Sequence, residues 1–158
     1  MRKIFLPIAC MLTIACTNLH AQTEAEMKAW MDYMTPGDMH KMLAKGVGKW
    51  DARITMWMAI DAPATNSTGT STVTMEMDGR YQVSHHEGSF MGMPFNGFGI
   101  VGYDNAKKIF VSTWVDNMGT GIMYTEGAYD PATKTLTLRG KTTDPMTGKD
   151  CDVREVIK

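Results

Sequence analysis

The pattern of apolar and polar positions changes period along this chain. Met27, Trp30, Met31 and Met34 fall at i, i+3, i+4 and i+7, one face of a helix over Ala25–Met34. Thr35 and Asp38 have capping-box spacing, with Asp where Glu is usual, and Pro36 suits a first helical position. A second short helix is therefore expected from Pro36 to about Lys45, burying Met39, Met42 and Leu43, with Gly46 and Gly48 ending it. From Trp50 the period becomes two. Trp50, Ala52, Ile54, Met56 and Met58 alternate with Asp51, Arg53, Thr55, Trp57 and Ala59, the pattern of a strand with one apolar face. The segment Asp61–Gly69, rich in Pro, Ala, Ser and Thr, reads as a surface loop.

Strands then recur at short intervals. Thr70–Met77 alternates, Asp78-Gly79 is a tight hairpin turn, and Arg80–Glu87 is the return strand. The stretch Gly88–Gly127 is the densest in glycine and aromatics, and three further strands are expected in or across it: Phe95–Tyr103, Ile109–Met118 and Thr120–Tyr129. Turns at Asp130–Lys134 and Asp144–Gly148 separate Thr135–Thr142 from a last strand, Asp150–Ile157. Eight strands without βαβ spacing predict a mainly β protein, an antiparallel up-and-down meander behind a helical N-terminal segment. A length of 158 residues is one domain by size. Neither a sequence repeat nor a heptad pattern is present.

The first residues stand apart from that fold. Arg2 and Lys3, the apolar run Ile4–Ala15 and the small residue Ala21 form the pattern of a secretory signal, with cleavage expected after Ala21 and a mature domain over 22–158. Leu12–Cys16 is only a loose lipobox, with Thr13 where leucine is usual, so a lipid anchor on Cys16 is the weaker expectation. The location implied is periplasmic or secreted. Cleavage would remove Cys10 and Cys16, leaving Cys151 alone and no internal disulfide. Without Arg2 and Lys3, 14 basic residues stand against 17 acidic ones, a net charge of −3. There is no basic stripe or arginine cluster, which argues against nucleic acid as a partner. No other apolar run is long enough for an integral membrane span.

A longer set of motifs carries a resemblance. Gly48-Lys49-Trp50 opening the first strand resembles the Gly-x-Trp of lipocalins and wider calycins. With it stand Met39-His40-Lys41, Gly79-Arg80-Tyr81, Gly92-Met93-Pro94-Phe95-x-Gly97, Gly102–Lys108, Thr113–Thr120 and Thr147-Gly148-Lys149. Together these resemble the bacterial DUF1579 family, a domain of unknown function, over most of the mature chain. The resemblance implies a calycin-like β-barrel and brings no established activity. It also implies two more strands, roughly 20 residues, beyond Lys158, because similar chains end in a Tyr-x-Arg-like segment. On that expectation the barrel is incomplete, and Trp50–Met58 has an open edge prone to association.

Candidate chemistry gathers around the meander. Trp114 and Asp116 share one face of Ile109–Met118, which suits a pocket wall with one hydrogen-bonding anchor. Tyr124 and Glu126 share a face of the next strand, and His85 and Glu87 share one on Arg80–Glu87. Trp114, Asp116, Tyr124, Phe98 and His85 are the expected ligand-binding wall, provided their faces all point inward. Against this, half of every strand faces solvent, and Asp116 can equally cap the turn at Met118-Gly119. His40, on the second helix, is expected to bond a barrel-rim carbonyl or to line the mouth of a pocket.

Enzyme signals are weak. There is no Gly-x-Ser-x-Gly, and Cys151 stands between Asp150 and Asp152, whose charge raises rather than lowers a thiol pKa. Gly97-x-Gly99-x-x-Gly102 lies inside a strand with no helix after it, so its match to a dinucleotide spacing is accidental. Methionine is abundant, 16 residues in all, and Met56/Met58, Met75/Met77 and Met91/Met93 are Met-x-Met pairs that a strand would put on one face for Cu(I). Core filling explains most of them more simply. The reading is an exported small barrel binding a small, largely apolar ligand, with no cofactor called for. An isomerase or hydrolase using Asp116 or His85 as base, a packed structural or interaction protein, and a Cu(I) binder are the alternatives.

Overall fold

The computed structural model describes residues 23–158. The signal segment expected over 1–21 lies outside the described residues. Two helices, α1 (Glu24–Met34) and α2 (Asp38–Ala44), precede eight strands: β1 (Gly48–Met56), β2 (Thr65–Glu76), β3 (Tyr81–Phe90), β4 (Met93–Asp104), β5 (Ile109–Asp116), β6 (Met123–Asp130), β7 (Thr135–Thr143) and β8 (Asp150–Ile157). The strands form one antiparallel sheet in chain order, curled into a half-barrel. Among the described residues β1 bonds only to β2 and β8 only to β7, so these two are the edge strands of the sheet.

Local chemistry explains the helix ends, not always as the spacing predicts. α1 starts at a capping box of its own, in which Thr23 Oγ1 accepts from the Glu26 N–H and Glu26 Oε2 accepts from the Thr23 N–H. Thr35 does not cap α2. It ends α1, donating its hydroxyl to the Met31 carbonyl at 2.6 Å. Gly37 takes the N-cap of α2, and His40 Nδ1 accepts its N–H at 3.0 Å. Histidine here does the work that Glu does in the usual box.

The strands also extend beyond their apolar patterns. Thr65–Gly69, read as loop, pairs with Ala52–Met56 and belongs to β2. Ser and Thr suit a strand without marking a buried face, so alternation missed them. β3 runs on to Phe90 and turns through Met91 and Gly92, both at positive φ (50° and 80°), into β4. That is a two-residue hairpin matched to strand twist. β5 ends at Asp116 rather than Met118, and β6 begins at Met123 rather than Thr120. The β4–β5, β6–β7 and β7–β8 turns share one device. An aspartate (Asp104, Asp130, Asp144) accepts the N–H two residues on at 2.8–2.9 Å, and Lys108, Lys134 or Gly148 takes the left-handed conformation before the next strand.

Register assigns every strand residue to a face. Met75 pairs with Gln82, Val101 with Ser112, Ser112 with Thr125, and Thr125 with Gly140, so these share the inner face, the one against which α2 packs. The core lies there. Leu43 of α2 meets Phe110, Leu136 and Leu138, with Met39, Met42, Met75, Val101, Tyr103 and Tyr129 around them. Gln82 Nε2 ties α2 to β3 by donating to the Leu43 carbonyl at 2.6 Å. Gly127 and Gly140 let β6 and β7 approach closely, since a Cβ at either would strike a carbonyl of the neighbouring strand.

α1 is held differently. Its C-terminal carbonyls are taken by side chains from two hairpins, Arg80 donating to Met34 and Asn105 Nδ2 to Asp32, Tyr33 and Thr35. No α1 residue is buried, and the apolar stripe of Met27, Trp30, Met31 and Met34 is exposed.

Candidate functional site

The expected binding residues are divided between the two faces of the sheet. Pairing of Gly99 with Trp114, of Ser84 with Gly99, and of Gly97 with Asp116 puts Trp114 and Asp116 on the inner face with Ser84 and His86. His85 pairs with Phe98, and Phe98 with Val115, which puts these on the outer face. Tyr124 and Glu126 are outer-face residues too, as are Glu87 and Asn96. Asp116 thus lies on the inner face, and Glu126, Glu87 and His85 on the outer one. The four-residue turn Asn105–Lys108 decides this, because pairing Asp104 with Ile109 fixes Phe98 opposite Val115 rather than Trp114. Shifting register by one residue reverses every face.

Trp114 is the centre of the inner-face cluster. β4 has glycine at Gly97 and Gly99, and a Cβ at Gly97 would collide with the Trp114 ring. A side chain at Gly99 would sit 2.9 Å from Ser84 Oγ and 3.2 Å from Trp114 Cε3. These two glycines leave a shelf across which the indole lies. It reaches His86 on one side, with ring centroids 5.0 Å apart, and stacks near Phe95 at 6.4 Å with planes 17° apart. Its Nε1 donates to Asp116 Oδ2 at 2.7 Å, while Asp116 Oδ1 accepts the Met118 N–H at 2.9 Å. Asp116 thus both orients the indole and caps the strand end, which unites two readings of this residue.

His86 is the residue that sequence reasoning passed over in favour of His85. It is half-buried, and among the described residues no hydrogen bond reaches its ring nitrogens. Burial, and then the neighbouring His85, hold its pKa below the ordinary 6.5, so it is neutral at pH 7. The signal for it was in the turn. A hairpin at Asp78-Gly79 pairs Met75 with Gln82 and carries Ser84 and His86 onto the Met75 face. Farther in, Ser112 and Thr125 are buried side by side, and the Thr125 hydroxyl has no partner among the described residues.

The remaining candidates have other surroundings. His85 and Phe98 meet edge to face at 4.9 Å beside an open depression of about 380 Å³ at the sheet's open end, which His86, Gly97 and Asp116 line together with Glu87, Asn96, Val115 and Asn117. The Tyr124 hydroxyl donates to Glu126 at 3.0 Å on an exposed surface, and that bond leads the causes that raise its pKa. His40 is buried, and the desolvation that lowers its pKa outweighs the Tyr103 carbonyl that raises it. It also borders a second depression, about 340 Å³, lined by Arg80, Tyr103 and Asn105 among others. Arg80 and Asn105 are committed there to α1 carbonyls, so that depression is the seam where α1 docks. Each Met-x-Met pair has one member outside a strand, Met58, Met77 or Met91, so the shared strand face expected for Cu(I) is not formed.

Fold and site together define an open antiparallel half-barrel, one end of whose inner face is filled by a helix while the other carries an aromatic shelf. A family model described as a protein of unknown function, DUF1579, matches residues 35–158, and the chain belongs to that family. Comparison with curated proteins and with solved structures found no match. Among the described residues no helix is long and apolar enough to cross a membrane.

Proposed function

We propose that this protein binds a small, largely apolar, ring-bearing ligand on the open end of its inner face. The observation that carries this is the Trp114 indole, laid flat over Gly97 and Gly99 with its edge fixed by Asp116. An oriented, half-exposed aromatic plane is a stacking surface whose ordering cost is already met before the ligand arrives. Phe95 extends the plane, and His86 offers a neutral imidazole with free ring nitrogens for one polar group of the ligand. His85 and Asp116 line one depression but leave the sheet on opposite faces, which disfavours them as one acid–base pair.

Tryptophan emission tests the reading. Trp30, Trp50 and Trp57 are well exposed, so a saturable response to fatty-acid or polycyclic aromatic probes that disappears in Trp114→Leu is the expected result. A response that persists in Trp114→Leu, or none with any probe, counts against this site. Native mass spectrometry of protein from its own host would show a co-purifying mass. Export is part of the same proposal: intact mass should place the mature N-terminus at Gln22, and residues 1–21 retained, or a lipid on Cys16, would overturn it.

A further inference from the structure

The two edge strands, each without a second strand partner among the described residues, are finished differently. β8 turns Glu155 to the inner face opposite the fully buried Leu138, and burial raises that carboxyl's pKa. An inward-pointing charge on an edge strand discourages another strand from adding there. β1 has no such guard. It pairs with β2 through nine successive residues, without a bulge and without proline. Its inner face exposes Trp50 and Ile54, 53% and 37% accessible. On its outer face Asp51 and Arg53 are exposed, and no salt bridge among the described residues engages either.

We propose that β1 is a homodimer interface, pairing antiparallel with β1 of a second copy about a two-fold axis through Ala52. In that register Asp51 faces the second copy's Arg53 and Arg53 faces its Asp51, so symmetry makes two opposite-charge pairs on the outer face. Trp50 faces the second copy's Ile54, and Ile54 its Trp50, so two aromatic–aliphatic pairs form on the inner face. Directly opposed residues of an antiparallel pair have Cβ atoms about 4.5–5.5 Å apart, within reach for both kinds of contact. Moving the axis by one residue to Asp51 would set Lys49 against the second copy's Arg53, like charges face to face. An axis through Trp50 would also oppose unlike charges, Lys49 and Asp51, but only the Ala52 axis does so while pairing all nine residues of β1, and that register is self-complementary, as a two-fold interface requires. The paired edges also join the two inner faces into one continuous surface, with Trp50 at the seam. This inference is independent of the ligand proposal.

The test is a charge swap on the full chain purified from its own host, with mass measured by light scattering after size exclusion and by sedimentation. The native protein is expected to be a dimer at micromolar concentration. Arg53→Asp sets Asp51 against the new Asp at both pairs and should weaken the dimer about tenfold or more. The double variant Asp51→Arg/Arg53→Asp restores opposite charges in the same register and should restore the dimer. Both substitutions lie on an exposed outer face, and circular dichroism checks that the fold is intact. A folded native monomer overturns the proposal. So does a dimer indifferent to Arg53→Asp, which would move the interface to β8 or to the exposed α1 stripe. A double variant that stays monomeric excludes the Ala52 register.

Discussion

The inner face of one sheet does two different things at its two ends. Where β4 turns into β5 and β6 into β7, apolar residues meet α2 and disappear: Phe110 and Leu138 are 1% and 0% exposed. Where β3, β4 and β5 reach Phe90, Phe95 and Asp116, the residues are aromatic, polar or glycine, and they stay partly open. The first end supplies stability through burial and close packing. The second supplies an oriented surface at the expense of burial. The lesson is that a half-barrel can divide its inner face between holding the fold and presenting a shelf, with the helix deciding where the division falls.

Several substitutions probe that division. The largest effect is expected at the packed end, where Leu138→Ala should cost about 2–5 kcal/mol in denaturant unfolding, while any probe binding at Trp114 survives in the folded fraction. A loss of under 1 kcal/mol would show that the core is not where α2 puts it. Next, His40→Ala removes the acceptor for the Gly37 N–H and the edge contact with Tyr103, ring centroids 5.9 Å apart. About 1–3 kcal/mol is expected, and Gln, which can accept the same bond, should recover part of it.

At the open end, Gly97→Val should displace the indole by steric collision at a cost of about 1–3 kcal/mol, and with it abolish the emission response to probes. A response retained in that variant would separate binding from the shelf. Acid distinguishes the ends by a different route. His40 and His86 both have folded pKa values below the ordinary 6.5, chiefly through burial. The unfolded chain therefore binds these protons more tightly. Stability should be full above about pH 6.5 and fall as pH drops from there toward the lowered folded values. His86→Phe should flatten part of that slope, and an unchanged profile in a His40/His86 double variant would rule both out as its source. The smallest effect belongs to the outer face. Tyr124→Phe loses one exposed hydrogen bond to Glu126 and should change stability by no more than about 0.5 kcal/mol, with probe response unaltered. Loss of binding there would mean that the wrong face has been chosen.

Much of the architecture follows from sequence alone because it rests on short-range chemistry. Period 3.6 and then period 2 mark helices and strands. Glycine, proline and aspartate mark the turns, and the alternating partners of Trp50, Met75 and Trp114 mark the faces strand by strand. The pairing of Trp114 with Asp116 was legible for the same reason, since residues two apart on a strand share a side. What the sequence left open was how the faces of successive strands line up. That depends on whether each turn holds an odd or even number of residues, which a left-handed Lys108 settles between β4 and β5. For this reason His85, Phe98 and Tyr124 fall on the outer face and His86 on the inner one. The small polar run Thr65–Gly69 became strand only because β1 was there to pair with it. The exposure of Met27, Trp30, Met31 and Met34, which by spacing share one face of a helix, was likewise decided by docking: hairpin side chains hold α1 by its end rather than by its face. Periodicity says which residues share a side, and only the assembled sheet and helices say what that side meets.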